Sequence, residues 1–105
     1  KAILKRANRT SSNILKYDTY EINIEKRIIK EEDHAIELTN KEFELMLFFL
    51  ENKNQAFSRE QILVHVWGTD YFGSDRVVDD LLRRLRQKMP KLMIETIYGY
   101  GYRLL

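Results

Sequence analysis

Cysteine is absent from this 105-residue chain. That excludes a disulfide scaffold, a zinc ribbon, an iron–sulfur site and thiol catalysis, and it fits a reducing compartment. Proline occurs once and glycine four times, so breaks in regular structure are few and each marks a particular place. Long hydrophobic runs are missing too. The longest candidate, Phe43 to Leu50, is interrupted by Glu44 and falls short of the about 18 residues of a membrane span. There is no secretory signal pattern and the first residue is not Met, so the sequence reads as a piece excised from something longer. With two histidines, His34 and His65, 31 positions apart and no thiol, no metal site is expected. Glu31 and Glu32 read as a solvated turn rather than paired catalytic acids. No P-loop, nucleophile elbow or dinucleotide fingerprint is present, so neither a cofactor nor an enzyme activity is expected.

What is present is a balance of 44% hydrophobic and 32% charged residues, that of one globular domain with a modest core. The net charge of +2 hides an asymmetry. Residues 17–60 carry a net −5, whereas residues 76–105 carry a net +4 from seven basic and three acidic groups. An acidic body with a basic C-terminal third points to an anionic partner met locally.

Residues 1–9 read as helical and Arg9 to Asn13 as a polar linker. Short strands follow. Tyr20, Ile22 and Ile24 alternate with polar residues, the period-2 pattern of a half-buried strand. With Ile14–Tyr17, Ile28–Ile29 and Ala35–Leu38 they predict a small antiparallel meander. Thr39 and Glu42 have capping-box spacing at the head of a helix that is apolar nearly all round, and so covered on two faces. A second capping box at Ser58 and Gln61 opens a short helix with Ile62, Leu63, Val66 and Trp67 as its stripe, stopped by Gly68. A third helix is expected from Asp75, as N-cap, to Met89, before Pro90. The last segment, from Met93, reads as a hairpin whose turn uses Gly99 and Gly101 for positive φ.

The third helix carries the chemistry. At 100° per residue, Val78, Leu82, Leu85 and Met89 fall on one narrow seam. The opposite face holds Arg76, Asp80, Arg83, Arg84 and Gln87, with Val77, Leu81 and Lys88 on its flank. A DNA major groove admits such a helix and offers acceptors to arginine, donors to carboxylate and thymine methyls to apolar side chains. Arginines at the margins bind phosphates instead. Asp80 and Arg84, four apart, can pair with each other. A short helix precedes, across a loop longer than that of a minimal helix-turn-helix, and a Gly-rich hairpin follows, the layout of a wing. Tyr102 is expected to pack at the hairpin base, and Tyr98 or Tyr100 to make a contact at its tip.

Four stretches then stand out: residues 37–45 (ELTNKEFEL), 57–68 (FSREQILVHVWG), 75–89 (DRVVDDLLRRLRQKM) and 94–103 (IETIYGYGYR). In these the chain resembles the DNA-binding domain of OmpR/PhoB-type response regulators, over about residues 14–105. The resemblance implies an α+β fold: a winged helix-turn-helix with an N-terminal four-stranded antiparallel sheet, three helices and a C-terminal β-hairpin wing. It implies that residues 1–13 are the end of a receiver-domain helix and a linker, and that residues 14–105 are the effector domain. It further implies a phosphorylatable receiver and a sensor kinase, double-stranded DNA with tandem half-sites bound as a dimer, RNA polymerase contact through Gly68–Ser74, and a bacterial cytoplasmic setting. The matching phosphate contacts are Trp67 through its indole N–H, Arg76 and Thr96, with Tyr102 a further candidate. The matching base-reading positions are Val77, Asp80, Leu81 and Arg84, with Arg83 reading or clamping; Lys88 and Tyr98 complete the set of expected DNA contacts. Two departures matter. Many relatives have Val-His where this chain has Asp80 and Leu81, and many have Arg where this chain has Tyr98. A tyrosine brings no cation to a narrow minor groove. A rival reading is a winged helix that binds protein, and another is a membrane-tethered or unphosphorylated regulator.

Overall fold

A computed structural model describes residues 14–105; the helix expected over residues 1–9 and the linker after it lie outside the described residues. The chain divides into two units, one ending at Glu37 and one spanning Leu38–Leu105.

The first unit is the expected meander. Strands β1 (Ile14–Tyr17), β2 (Tyr20–Asn23), β3 (Ile28–Glu31) and β4 (His34–Ile36) pair antiparallel in sequence order. Register puts Leu15, Ile22, Ile29 and Ile36 abreast on one face, with Tyr20 two residues from Ile22; Tyr20, Ile22 and Ile29 are buried. The other face sets Lys16, Glu21 and Lys30 side by side, charges of alternating sign that favour this register. The tight turns are made without glycine: Asp18 and Glu32 take up the left-handed backbone there.

In the second unit, α1 (Asn40–Leu50) opens on the predicted capping box. The Thr39 hydroxyl accepts from the Glu42 N–H, and the Glu42 carboxylate accepts from the Thr39 N–H at 2.9 Å. Phe43, Leu45, Met46 and Phe49 are buried, and the helix packs on two further helices and a strand, as its all-round apolar character predicts. Next comes β5 (Ala56–Ser58), which the sequence reading missed; three residues are too few to show a period. Ser58 then caps α2 (Arg59–Trp67), its hydroxyl accepting from the Gln61 N–H.

Helix α3 (Arg76–Lys88) has the predicted phase: Val78, Leu82, Leu85 and Met89 are each no more than 2% exposed. Its cap differs from expectation. Asp75 has helical backbone angles and makes no capping hydrogen bond; the Ser74 hydroxyl accepts from the Arg76 N–H instead. The hairpin of β6 (Ile94–Ile97) and β7 (Gly101–Leu104) is joined on its other edge by β5, giving the order β5-β7-β6. Gly99 takes the positive φ of the turn, as expected. Gly101 is needed for room instead: a Cβ there would lie 1.9 Å from the Phe57 carbonyl oxygen, across the β5–β7 pairing that sets Gly101 opposite Ser58.

Candidate nucleic-acid interface

Burial of the α3 seam turns Arg76, Arg83, Arg84 and Gln87 to solvent. Between this face and the start of α1 lies a groove of 430 Å³. Trp67, Val77, Asp80, Leu81 and Arg84 line it, so five of the expected contact residues, from two helices, meet around one concavity. Thr39, Asn40 and Lys41 complete the lining. These three went unnoticed in the sequence, where the capping box marked only a helix start. The Lys41 ammonium sits 5.5 Å from the Trp67 ring, a cation–π distance, and keeps positive charge at the rim.

Asp80 is the centre of the outward face. One carboxylate oxygen accepts from Arg83 Nη2 at 2.5 Å, and the other lies 3.0 Å from Arg84 Nη2. The anticipated pairing with Arg84 is therefore present and extends to Arg83. Both arginine side chains stay more than half exposed.

The neighbouring Asp79, one helical step round, turns to α2 and β7. Its Oδ1 accepts from Arg59 Nε on α2 at 2.8 Å and from the Tyr102 hydroxyl on β7. Burial alone would raise this carboxyl, but the Tyr102 and Arg59 hydrogen bonds, with the charges of Arg59 and Arg76, hold it below the usual carboxylate range. The same bond raises Arg59, and burial followed by donation to Asp79 raises the Tyr102 phenol. Two guanidinium groups lie within cation–π distance of the Tyr102 ring, Arg59 at 5.6 Å and Arg86 at 5.8 Å. Arg86 also donates to the Ile94 carbonyl at 2.7 Å and reaches the Thr96 hydroxyl at 3.4 Å. The wing is thus fastened to α3 and α2 by a polar network with Asp79 and Tyr102 at its middle.

Of the expected contact residues, one is largely covered and two have side-chain partners within the domain. Leu81 is only 6% exposed, because α1 and α2 cover the flank on which the helical wheel left it, so it lines the groove wall rather than reaching outward. Lys88 turns back to Glu42, its ammonium donating to the carboxylate at 2.6 Å. Glu42 is 1% exposed; burial would raise it, but the Lys88 and Thr39 hydrogen bonds lower it overall. Tyr102 is 6% exposed, packed at the hairpin base as expected, and its hydroxyl donates to Asp79. Thr96 is half-buried beside Arg86, while Tyr98, at the wing tip, is 92% exposed and Tyr100 46%. Among the described residues no cluster of three or more acidic, His or Cys side chains could hold a metal ion, and no helix is long and apolar enough to cross a membrane. His65 stacks on the Phe48 ring at 4.1 Å.

Two helices joined by a loop, the second with a solvent-facing arginine surface, followed by a hairpin fastened beside it, make a winged helix-turn-helix domain. Residues 32–104 match the family described as "Transcriptional regulatory protein, C terminal", and the chain belongs to that family, the OmpR/PhoB type of response-regulator effector domain. It is 49% identical over 104 residues to the transcriptional regulatory protein CssR of Bacillus subtilis (strain 168), covering 98% of this chain and 46% of CssR. The chain thus spans about half the length of that relative. The crystal structure of the DNA-binding domain of B. subtilis CssR superposes with a TM-score of 0.79 at 55% identity, over 82% of this chain and 99% of that one. The response regulator DrrB of Thermotoga maritima, an OmpR/PhoB homologue, gives a TM-score of 0.79 at 28% identity, over 97% of this chain and half of that one.

Proposed function

We propose that residues 14–105 are the effector domain of a bacterial two-component response regulator and act by sequence-specific binding of double-stranded DNA, without catalysis. The observation that carries this reading is the outward face of α3: Arg76, Arg83 and Arg84 exposed on a helix whose opposite seam is wholly buried. A protein-binding winged helix would favour an apolar or acidic face there. In the major groove, Val77, Arg83 and Arg84 meet base edges, with Asp80 between them. Arg76 and the indole N–H of Trp67 meet phosphates, with Thr96 a lesser contact; Lys41, at the groove rim, is a further basic contact. Tyr98 lies against sugar or phosphate from the wing. The relatives' greater length supports a receiver domain ahead of this one, with residues 1–13 as the join, phosphorylated by a sensor kinase in the cytoplasm. Phe72, 95% exposed on the loop between α2 and α3, is the apolar side chain that RNA polymerase would cover.

Selection from random duplexes tests this. Enrichment of tandem half-sites with a centre-to-centre spacing of about 10 base pairs, bound by a dimer, is expected. Log affinity should fall with log salt at a slope of about −0.9 per phosphate contact. No enrichment, with salt-indifferent or absent duplex binding, would return the domain to the protein-binding class.

A further inference from the structure

The Asp80 carboxylate has two oxygens, and each holds a guanidinium: Arg83 through Nη2 and Arg84 through Nη2. The three charges sit three and four residues apart on one helix, so no other element is needed to bring them together. A carboxylate so engaged has given its strongest acceptor positions to its own chain. It is poorly placed to accept from cytosine N4 as well.

We infer that Asp80 sets sequence discrimination indirectly, by holding Arg83 and Arg84 in place for guanine and by opposing their capture by phosphate. This deepens the DNA-binding reading and rests on it. Each guanidinium has five N–H donors, and each ion pair occupies Nη2. Against guanine O6 and N7, which are neutral acceptors, an arginine can present its other donors and keep Asp80. Against a phosphate the same arginine brings the Asp80 charge close to a second anion. The exchange is then opposed by repulsion, and the pair must open for the phosphate contact to form. Exposed ion pairs are weak, so the restraint biases the arginines without disabling them. An aspartate among the arginines therefore lowers binding to arbitrary sequence more than binding to the right one, and specificity is the ratio of the two.

The test compares Asp80→Asn with the native chain on two duplexes of equal length, one isolated by selection with the native protein and one of mixed sequence. Asp80→Asn is expected to tighten mixed-sequence binding about three- to tenfold at low salt and to steepen its salt dependence, with little gain on the selected duplex. Asp80→Glu, which can still pair at this spacing, should keep most of the native ratio. Glu60→Gln is the control for the added charge: Glu60 is exposed on α2 and lines a different concavity, with Phe48, Phe57 and His65. An unchanged ratio in Asp80→Asn, or an equal change in Glu60→Gln, overturns the inference while leaving DNA binding intact. Loss on the selected duplex with no gain on the mixed one also overturns it, because it would make Asp80 a direct base contact. A native chain that binds both duplexes alike, or neither, removes the DNA-reading proposal and this inference together.

Discussion

Asp79 and Asp80 are adjacent on one helix, and each takes two partners, yet they do opposite things. The partners of Asp79 lie 20 and 23 residues away, on α2 and on the last strand. The partners of Asp80 lie three and four residues away, on the same helix. Sequence distance decides what each cluster can accomplish. Asp79 ties three elements together, so losing it should weaken the fastening of the wing. Asp80 ties a helix only to itself, so breaking it leaves the fold alone and changes what the helix surface offers. One step of 100° along α3 separates a structural joint from a recognition surface.

The largest effect expected tests the phase on which that contrast depends. Leu85 is fully buried on the α3 seam, so Leu85→Ala should destabilise folding by about 2–5 kcal/mol in urea denaturation. A variant that unfolds like the native chain while losing DNA would mean that the seam faces the ligand. The next effect divides the arginines. Arg84→Ala should cost about 1–3 kcal/mol on the selected duplex and relax base preference there, while Arg76→Ala weakens selected and mixed duplexes alike. Equal loss on both duplexes for Arg84→Ala would make it a phosphate clamp and erase its tie to Asp80 as a device of recognition.

The smallest effect sharpens the Asp79 side. Tyr102→Phe removes one donor to Asp79 and should cost about 1 kcal/mol of stability. The folded-state pKa of Asp79 is lowered, as is that of Glu42. A lowered carboxyl stabilises the fold above its unfolded pKa of about 4, and that contribution is lost as pH falls through the folded value. Stability should therefore decline on acidification below about pH 4–5. The decline should be shallower in Tyr102→Phe, whose Asp79 has lost a partner. An identical acid profile in the variant would show that Tyr102 does not hold Asp79 low.

The sequence made some of this legible and hid the rest for physical reasons. Capping boxes at Thr39 and Ser58 and the seam of α3 are local patterns, and they were visible because their partners lie within a few residues. The arginine face and its pairing with Asp80 were visible on the same grounds. The ion pair of Lys88 was hidden because its partner, Glu42, lies 46 residues away, and no local pattern announces a buried carboxylate there. Leu81 was placed on the flank correctly, but what covers that flank depends on how α1 and α2 pack. Strand β5 and the close approach that requires Gly101 exist only through the pairing of β5 with β7, a contact between distant segments. Lys41 joined the groove only once α1 and α2 had been placed side by side.

A titration of the 15N-labelled chain with a selected duplex, followed by backbone amide and arginine side-chain chemical shifts, shows directly which surface meets DNA. The largest changes should fall on residues 76–84 of α3, on the α1 start at residues 39–41 and at the wing tip around Tyr98, with the Arg83 and Arg84 guanidinium signals among them. Changes concentrated instead around Phe48, Val64 and His65, or an α3 surface that does not respond, would contradict DNA binding through α3.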